Sequence, residues 1–213
     1  MLSGLDNRPS GGGRTPLGWA AMNGHERVVK ILLGRDDADP NRPEFSGETP
    51  LGWAAYMGHE GVVEMLLGRD DVDPNKPDDH GRTPLFQAAL GGHEGVVKIL
   101  LGRDDVDPNR AKLSGETPLL WAAYEGHAGV VEILLGRDDV DPNKPDDSGG
   151  TPLRWAAREG HEEVVKALLR RDDINPHKTN SFGLTPLRAA AINGHGIVVA
   201  LLQPSASATP RTT

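Results

Sequence analysis

The chain has no cysteine, so no disulfide framework holds it together and no thiolate chemistry is open to it. Aromatic residues make up 4% of its 213 residues and apolar residues 37%, a lean supply for one compact core of that length. The shortage favours an elongated body. No apolar run reaches membrane-spanning length and the opening "MLSGLDNRPSGGG" holds no hydrophobic stretch, so neither a membrane nor a secretory leader is expected. The net charge of -8 comes without Lys/Arg clusters, which argues against nucleic acid, because binding a phosphate backbone rests on counterion release by a basic face. There is no Asn-x-Ser/Thr acceptor, no Gly-Lys-Ser/Thr phosphate loop and no Gly-x-Ser-x-Gly elbow. No nucleophile, base and orienting group converge on one motif, so the chain is read as non-enzymatic with no cofactor and no metal. An intracellular, cytoplasmic setting is expected.

What the chain does have is repetition. Thr-Pro-Leu begins at Thr15, Thr49, Thr83, Thr117, Thr151 and Thr185, always 34 residues apart, and Gly-His follows nine residues after each Thr. Thr before Pro is a helix start: the hydroxyl can accept an orphan amide of the first turn, and proline at the first helical position forgoes a donor without a partner. The spacing predicts a helix over Pro16 to Asn23, a left-handed Gly24, and a second helix whose stripe pairs Val28 with Leu32 and Val29 with Leu33. Helices this short are not stable alone. They bury their faces only against neighbouring copies, as in a solenoid. "SGETPL" at 46–51 returns at 114–119, and "NKPDD" falls in the alternate copies, so a 68-residue pair is the finer unit.

The linker "DDVDPNKPDDHGRT" (70–83) imitates a calcium loop with Asp71, Asp73 and Asn75 at alternate positions. Lys76 and Arg82 stand where that loop needs its Gly and its bidentate Glu, so the reading fails. The linker is instead a turn or finger held down by Val72, Val106, Val140 and Ile174. The six Gly-His histidines lie too far apart in a helix stack to share an ion, and are expected to bond backbone near the second helix.

"GRTPLFQAALGGHEGVVKILL" (81–101) and "GGTPLRWAAREGHEEVVKALL" (149–169) resemble the ankyrin repeat, with Gly-x-Thr-Pro-Leu, Ala-Ala, Gly-His and Val-Val-x-x-Leu-Leu matched six times over residues 11–203. The resemblance implies an all-α solenoid of stacked helix-turn-helix pairs joined by finger linkers. It also implies a protein-binding scaffold. Two features depart from the family: the period exceeds the usual 33 by one, and Gly18, Gly52, Phe86, Leu120, Arg154 and Arg188 replace the His that commonly follows Thr-Pro-Leu. Residues 1–10 read as a linker remnant and 204–213 as a disordered tail, and repeat six, with Ala191, Ile192 and Ile197, has no polar cap. The expectation is a fragment of, or a relic from, a longer array, a monomer or one that self-associates weakly through its ends.

In ankyrin-like stacks the concave face is built from fingers and first helices. Carried over, it takes Phe45, Glu48, Tyr56 and Met57 from repeat two, His80, Arg82, Phe86 and Leu90 from three, and Leu113, Glu116, Leu120, Tyr124 and Glu125 from four. Repeat five adds Arg154, Arg158 and Glu159, and repeat six Arg188 and Asn193. Tyr56, Met57, Phe86, Leu90, Leu120 and Tyr124 form an apolar strip of hot-spot composition, unless Phe86 and Leu120 merely fill the space of the missing His. Arg154, Arg158 and Arg188 form either a solvated charged face, the stronger reading, or a basic spot able to fork onto a carboxylate or phosphate. Trp19, Trp53, Trp121 and Trp155, at one repeat position, are expected to pack between helices. The partner is a protein of unspecified identity. The "TPLxWAA...VDPN" dialect is similar to long fungal arrays, some joined to NACHT-type signalling NTPases. That likeness implies the alternative of a recognition arm of a larger protein; a structural spacer is the other.

Overall fold

The computed structural model describes residues 14–35, 37–44 and 46–203. The expected remnant at 1–10, the expected tail at 204–213 and Phe45 lie outside the described residues. Among those described, the secondary structure is helical and paired: α1 (Pro16–Met22) with α2 (Glu26–Leu33), α3 (Pro50–Met57) with α4 (Glu60–Leu67), and α5 (Pro84–Gly91) with α6 (Glu94–Leu101). The series continues with α7 (Pro118–Glu125) and α8 (Ala128–Leu135), α9 (Pro152–Glu159) and α10 (Glu162–Leu169), and α11 (Pro186–Ile192) and α12 (Gly196–Leu202).

Each first helix starts on its threonine. In all six copies Thr Oγ1 accepts the amide of the residue three ahead, at 2.9 to 3.2 Å. Each ends on the glycine before His, which turns the chain with φ between +68° and +82°. In repeats two to five the Ala-Ala pairs of the first helices and the Val-Val and first Leu residues of the second are buried in one continuous core, which the end repeats join only in part, Val28 and Ala191 being exposed. Alanine lets first helices approach closely, and the first-helix layer packs more tightly than the second-helix layer. The stack therefore curves with the first helices on its inner side.

Three ladders join neighbouring copies. His59, His93, His127, His161 and His195 each donate Nε2–H to the last-turn carbonyl of the preceding first helix, at Met22, Tyr56, Leu90, Tyr124 and Arg158. The histidines are structural, but their partner is the neighbouring repeat. In the linkers, Asn41, Asn75, Asn109 and Asn143 donate to the carbonyls of Asp71, Asp105, Asp139 and Asp173 at 2.5 to 2.7 Å, and each accepts an amide from the next linker. Arg69, Arg103, Arg137 and Arg171 fork onto Asp71, Asp105, Asp139 and Asp173 and also donate to Leu33, Leu67, Leu101 and Leu135 carbonyls one repeat back. The calcium-like carboxylates are thus engaged in holding linkers together. Val72, Val106 and Val140 are buried beneath them and Ile174 half-buried.

Candidate functional site

The inner face is made of fingers and first helices. Each finger is a tight turn closed by a backbone bond, from Glu44 N to Glu48 O, Asp78 to Arg82, Lys112 to Glu116, Asp146 to Gly150 and Asn180 to Leu184. Neighbouring fingers touch by a further backbone bond each: Asp79 N donates to Ser46 O, Leu113 to His80, Asp147 to Ser114 and Ser181 to Ser148, where the Ser181 hydroxyl donates as well. The side chain at each finger's first position sets its character. Asp78 accepts the His80 and Arg82 amides and pairs with the Arg82 guanidinium at 2.6 Å, whereas repeat four reverses the charges, Lys112 meeting Glu116 at 3.1 Å.

The tryptophans correct the expectation of packing between helices. Trp19 is 49% exposed, and Trp53, Trp121 and Trp155 are half-buried with their rings on the inner face, where they brace the fingers. Trp53 Nε1 donates to Glu44 at 3.2 Å and Trp155 Nε1 to Asp146 at 2.7 Å. In repeat four the corresponding finger residue is Lys112, which has no acceptor; its ammonium sits 4.6 Å over the Trp121 ring and the indole N–H is left buried without a partner. Rings then follow one another across three repeats: Phe86 to Trp121 at 6.0 Å, Trp121 to Tyr124 at 5.2 Å and Tyr124 to Trp155 at 5.5 Å. The signal for this row was in the sequence, since Trp53 and Tyr56, or Trp121 and Tyr124, stand three apart and share one helix face.

Several residues expected on the groove surface are not on it. Phe86 and Leu120 are each 1% exposed, filling the wall where the family's His would stand. Glu48, 2% exposed, folds its carboxylate into the room left by Gly52 and pairs with Gln87 of the next repeat. Burial, reinforced by Asp78, pushes Glu48 up to about 7. Arg154, 6% exposed, lies over the Trp155 ring at 4.5 Å. Side-chain volume at one position decides all four: glycine admits a carboxylate, while larger residues occupy the space themselves.

The remaining expected residues lie at the surface. Tyr56, Met57, Glu125, Arg158, Arg188 and Asn193 are exposed, and Leu90, Tyr124 and Glu159 half-buried. His80, Arg82 and Leu113 come together with Lys112, Ser114 and Asp147 around a cleft of about 440 Å³ between fingers, and Glu116 is half-buried beside Lys112. Arg158 joins Arg154 over Trp155, 4.9 Å from its centre, whereas Arg188 stands apart. Among the described residues no group of three or more His, Asp or Glu side chains is placed to hold a metal ion. No described helix is long and apolar enough to cross a membrane.

A family model for ankyrin repeats (3 copies) matches residues 2–78, 70–146 and 138–212. The chain belongs to the ankyrin repeat family. A comparison with curated proteins finds no match. Ankyrin repeats are in general protein–protein interaction modules, typically without catalysis, and the helix pairs, capping threonines and fingers of this chain fit that architecture.

Proposed function

We propose that this ankyrin array is a scaffold that binds a partner protein along its inner groove, through the finger tips and the exposed side of the first helices. The observation that carries the reading is where large apolar side chains remain uncovered. Between residues 46 and 183, those the fold leaves exposed are Tyr56, Met57, Leu113 and Phe182, all on first helices or fingers of the groove. The second helices of repeats two to five expose none, whereas those of the two end repeats leave Val28, Ile31 and Ile197 uncovered. Aromatic, Met and Arg side chains rimmed by polar residues are the usual composition of an interface centre, and the ring row from Phe86 to Trp155 gives this one a rigid floor.

The test is capture of a partner by wild type and by Tyr56→Ala/Tyr124→Ala, with thermal melting as a control. Loss of a captured protein by about tenfold or more, with the fold retained, is expected for two aromatic anchors. Undiminished capture would put the contact outside this part of the groove, and absence of any captured partner would leave the stack a spacer.

A further inference from the structure

One cleft on the inner face has a chemistry unlike the rest. It lies between repeats five and six, holds about 380 Å³, and its apolar walls are Trp155, Phe182, Leu184, Ala189 and Ile192. That volume is within the range of small-ligand pockets. Its origin is a missing ring. Ala189 stands at the position filled by Trp19, Trp53, Trp121 and Trp155 in other copies. Asn180, at the position of the indole acceptors Glu44 and Asp146, is 7% exposed and lines the same cleft with no indole to receive.

The polar lining is one-sided. Arg154 is 6% exposed, yet among the described residues its guanidinium has no ion pair and no hydrogen bond, and its Nε is buried without a partner. The nearest acid is already engaged: Asp146 Oδ1 accepts from Ser148 N, Ser148 Oγ and Gly150 N, and Oδ2 accepts from Trp155. Arg158 reaches over the same ring, with Glu159 at 3.4 Å. Asn180 Oδ1 takes the Phe182 and Leu184 amides, and Asn193 gives its amide to Ala189 O. What remains to offer a ligand is mainly N–H: two guanidiniums and the Asn180 amide. A buried cation with no ion pair and no hydrogen bond of its own is unfavourable in the empty protein, Asp146 offsetting this only through space, and an anion in the cleft would relieve it. Burial holds the Arg154 guanidinium below its ordinary value, Asp146 opposing that and Arg158 adding to it.

We propose that this cleft is a binding site for a peptide segment of a partner protein that presents an aromatic ring together with a carboxylate, the ring in the space beside Ala189 and the carboxylate on Arg154 and Arg158. Planar guanidinium meets carboxylate by paired N–H donors, and the Trp155 face keeps both arginines in place. The inference rests on the groove reading, whose ligand chemistry it specifies at one end of the array.

The probe is 3-phenylpropionate, titrated into the isotope-labelled full chain and followed by NMR. Saturable shifts are expected at the Trp155 indole N–H and the Ala189 amide, with binding about tenfold tighter than for 3-phenylpropionamide, the worth of a charge-assisted hydrogen bond. Ala189→Trp, which refills the vacancy, should remove the shifts. Arg158→Gln leaves the core untouched, so it serves even if that variant fails to fold; it should weaken the acid and leave the amide unchanged. Equal binding of acid and amide, no saturable shift, or shifts that survive in folded Ala189→Trp would overturn the proposal. If the probe fails while Tyr56→Ala/Tyr124→Ala still loses its partner, only this inference falls. If the probe binds as expected while that double variant keeps its partner, the Tyr56 and Tyr124 strip falls as the anchor and the cleft stands as the contact at this end of the groove.

Discussion

The linker edge and the groove wall of this molecule are built from the same repeats and behave differently. Along the linkers, Asn41, Asn75, Asn109 and Asn143 make one contact four times over, always to the backbone of the next copy. Along the groove, the first finger position is Glu44, Asp78, Lys112, Asp146 and Asn180; Asp78, Asp146 and Asn180 each accept the amides two and four residues on, but the side chains met at this position differ from copy to copy. Glu44 meets Arg14 and Trp53, Asp78 meets Arg82, Lys112 meets Glu116 and Trp121, and Asp146 meets Trp155. A side-chain atom that bonds the backbone finds the same partner in every copy, so its chemistry is kept: the linker Asn four times over, and the finger Oδ1 of Asp78, Asp146 and Asn180. A side chain that bonds another side chain can change whenever its partner does. The frame is therefore uniform and the groove free to vary, which is what a binding surface on a repeat scaffold requires.

The comparison can be broken at the frame with single substitutions. Gly126 has φ +82°, and a methyl there would stand 2.7 Å from the His161 ring, which bonds Tyr124 O. Gly126→Ala combines left-handed strain with overlap and should lower stability by about 3 kcal/mol, read from urea unfolding. A loss within experimental error would show that the helix turns are loose. Asn109→Ala removes the bond to Asp139 O and the one from Asp141 N, and about 2 kcal/mol should go with them. Asn75→Ala should give a similar loss; unequal losses would mean that the ladder is not uniform.

The frame was legible in the sequence because its rules are local or periodic. Thr-Pro, Gly-His and Val-Val-x-x-Leu-Leu carry their own mechanism, and recurrence placed every copy. The groove surface was legible only by position. Phe86, Leu120, Glu48 and Arg154 were assigned to the surface because the family exposes that register, but the residue opposite decides it: Glu48 turns inward because Gly52 leaves room, and Phe86 and Leu120 are apolar enough to fill the wall. The tryptophans were misplaced for the converse reason. Large rings read as core, yet indole N–H groups need acceptors, and the fingers supply them at Glu44 and Asp146. Contacts that cross repeats between unlike side chains leave no periodic trace.

Glu48 is where the groove wall can be separated from the frame with the smallest perturbation. Its carboxyl is enclosed by Thr49, Gly52, Asp78, Arg82 and Gln87, and sits at about 7 in the folded chain against an ordinary 4.5. Because the folded value is the higher one, the native state binds the extra proton between 4.5 and about 7. Stability from this group is therefore fully present below 4.5 and is lost as the pH rises through that window. Between pH 6 and pH 8 the loss comes to about 1 kcal/mol. Glu48→Gln keeps the shape and the hydrogen bonding capacity but cannot ionise, so the difference in unfolding free energy between the variant and wild type should widen toward high pH. The linker ladder contains no such buried carboxyl, and Asn109→Ala should show the same deficit at both pH values. A parallel pH profile for Glu48→Gln and wild type would mean that the carboxyl is solvated after all, and that the wall of repeats two and three opens on the same terms as the fingers.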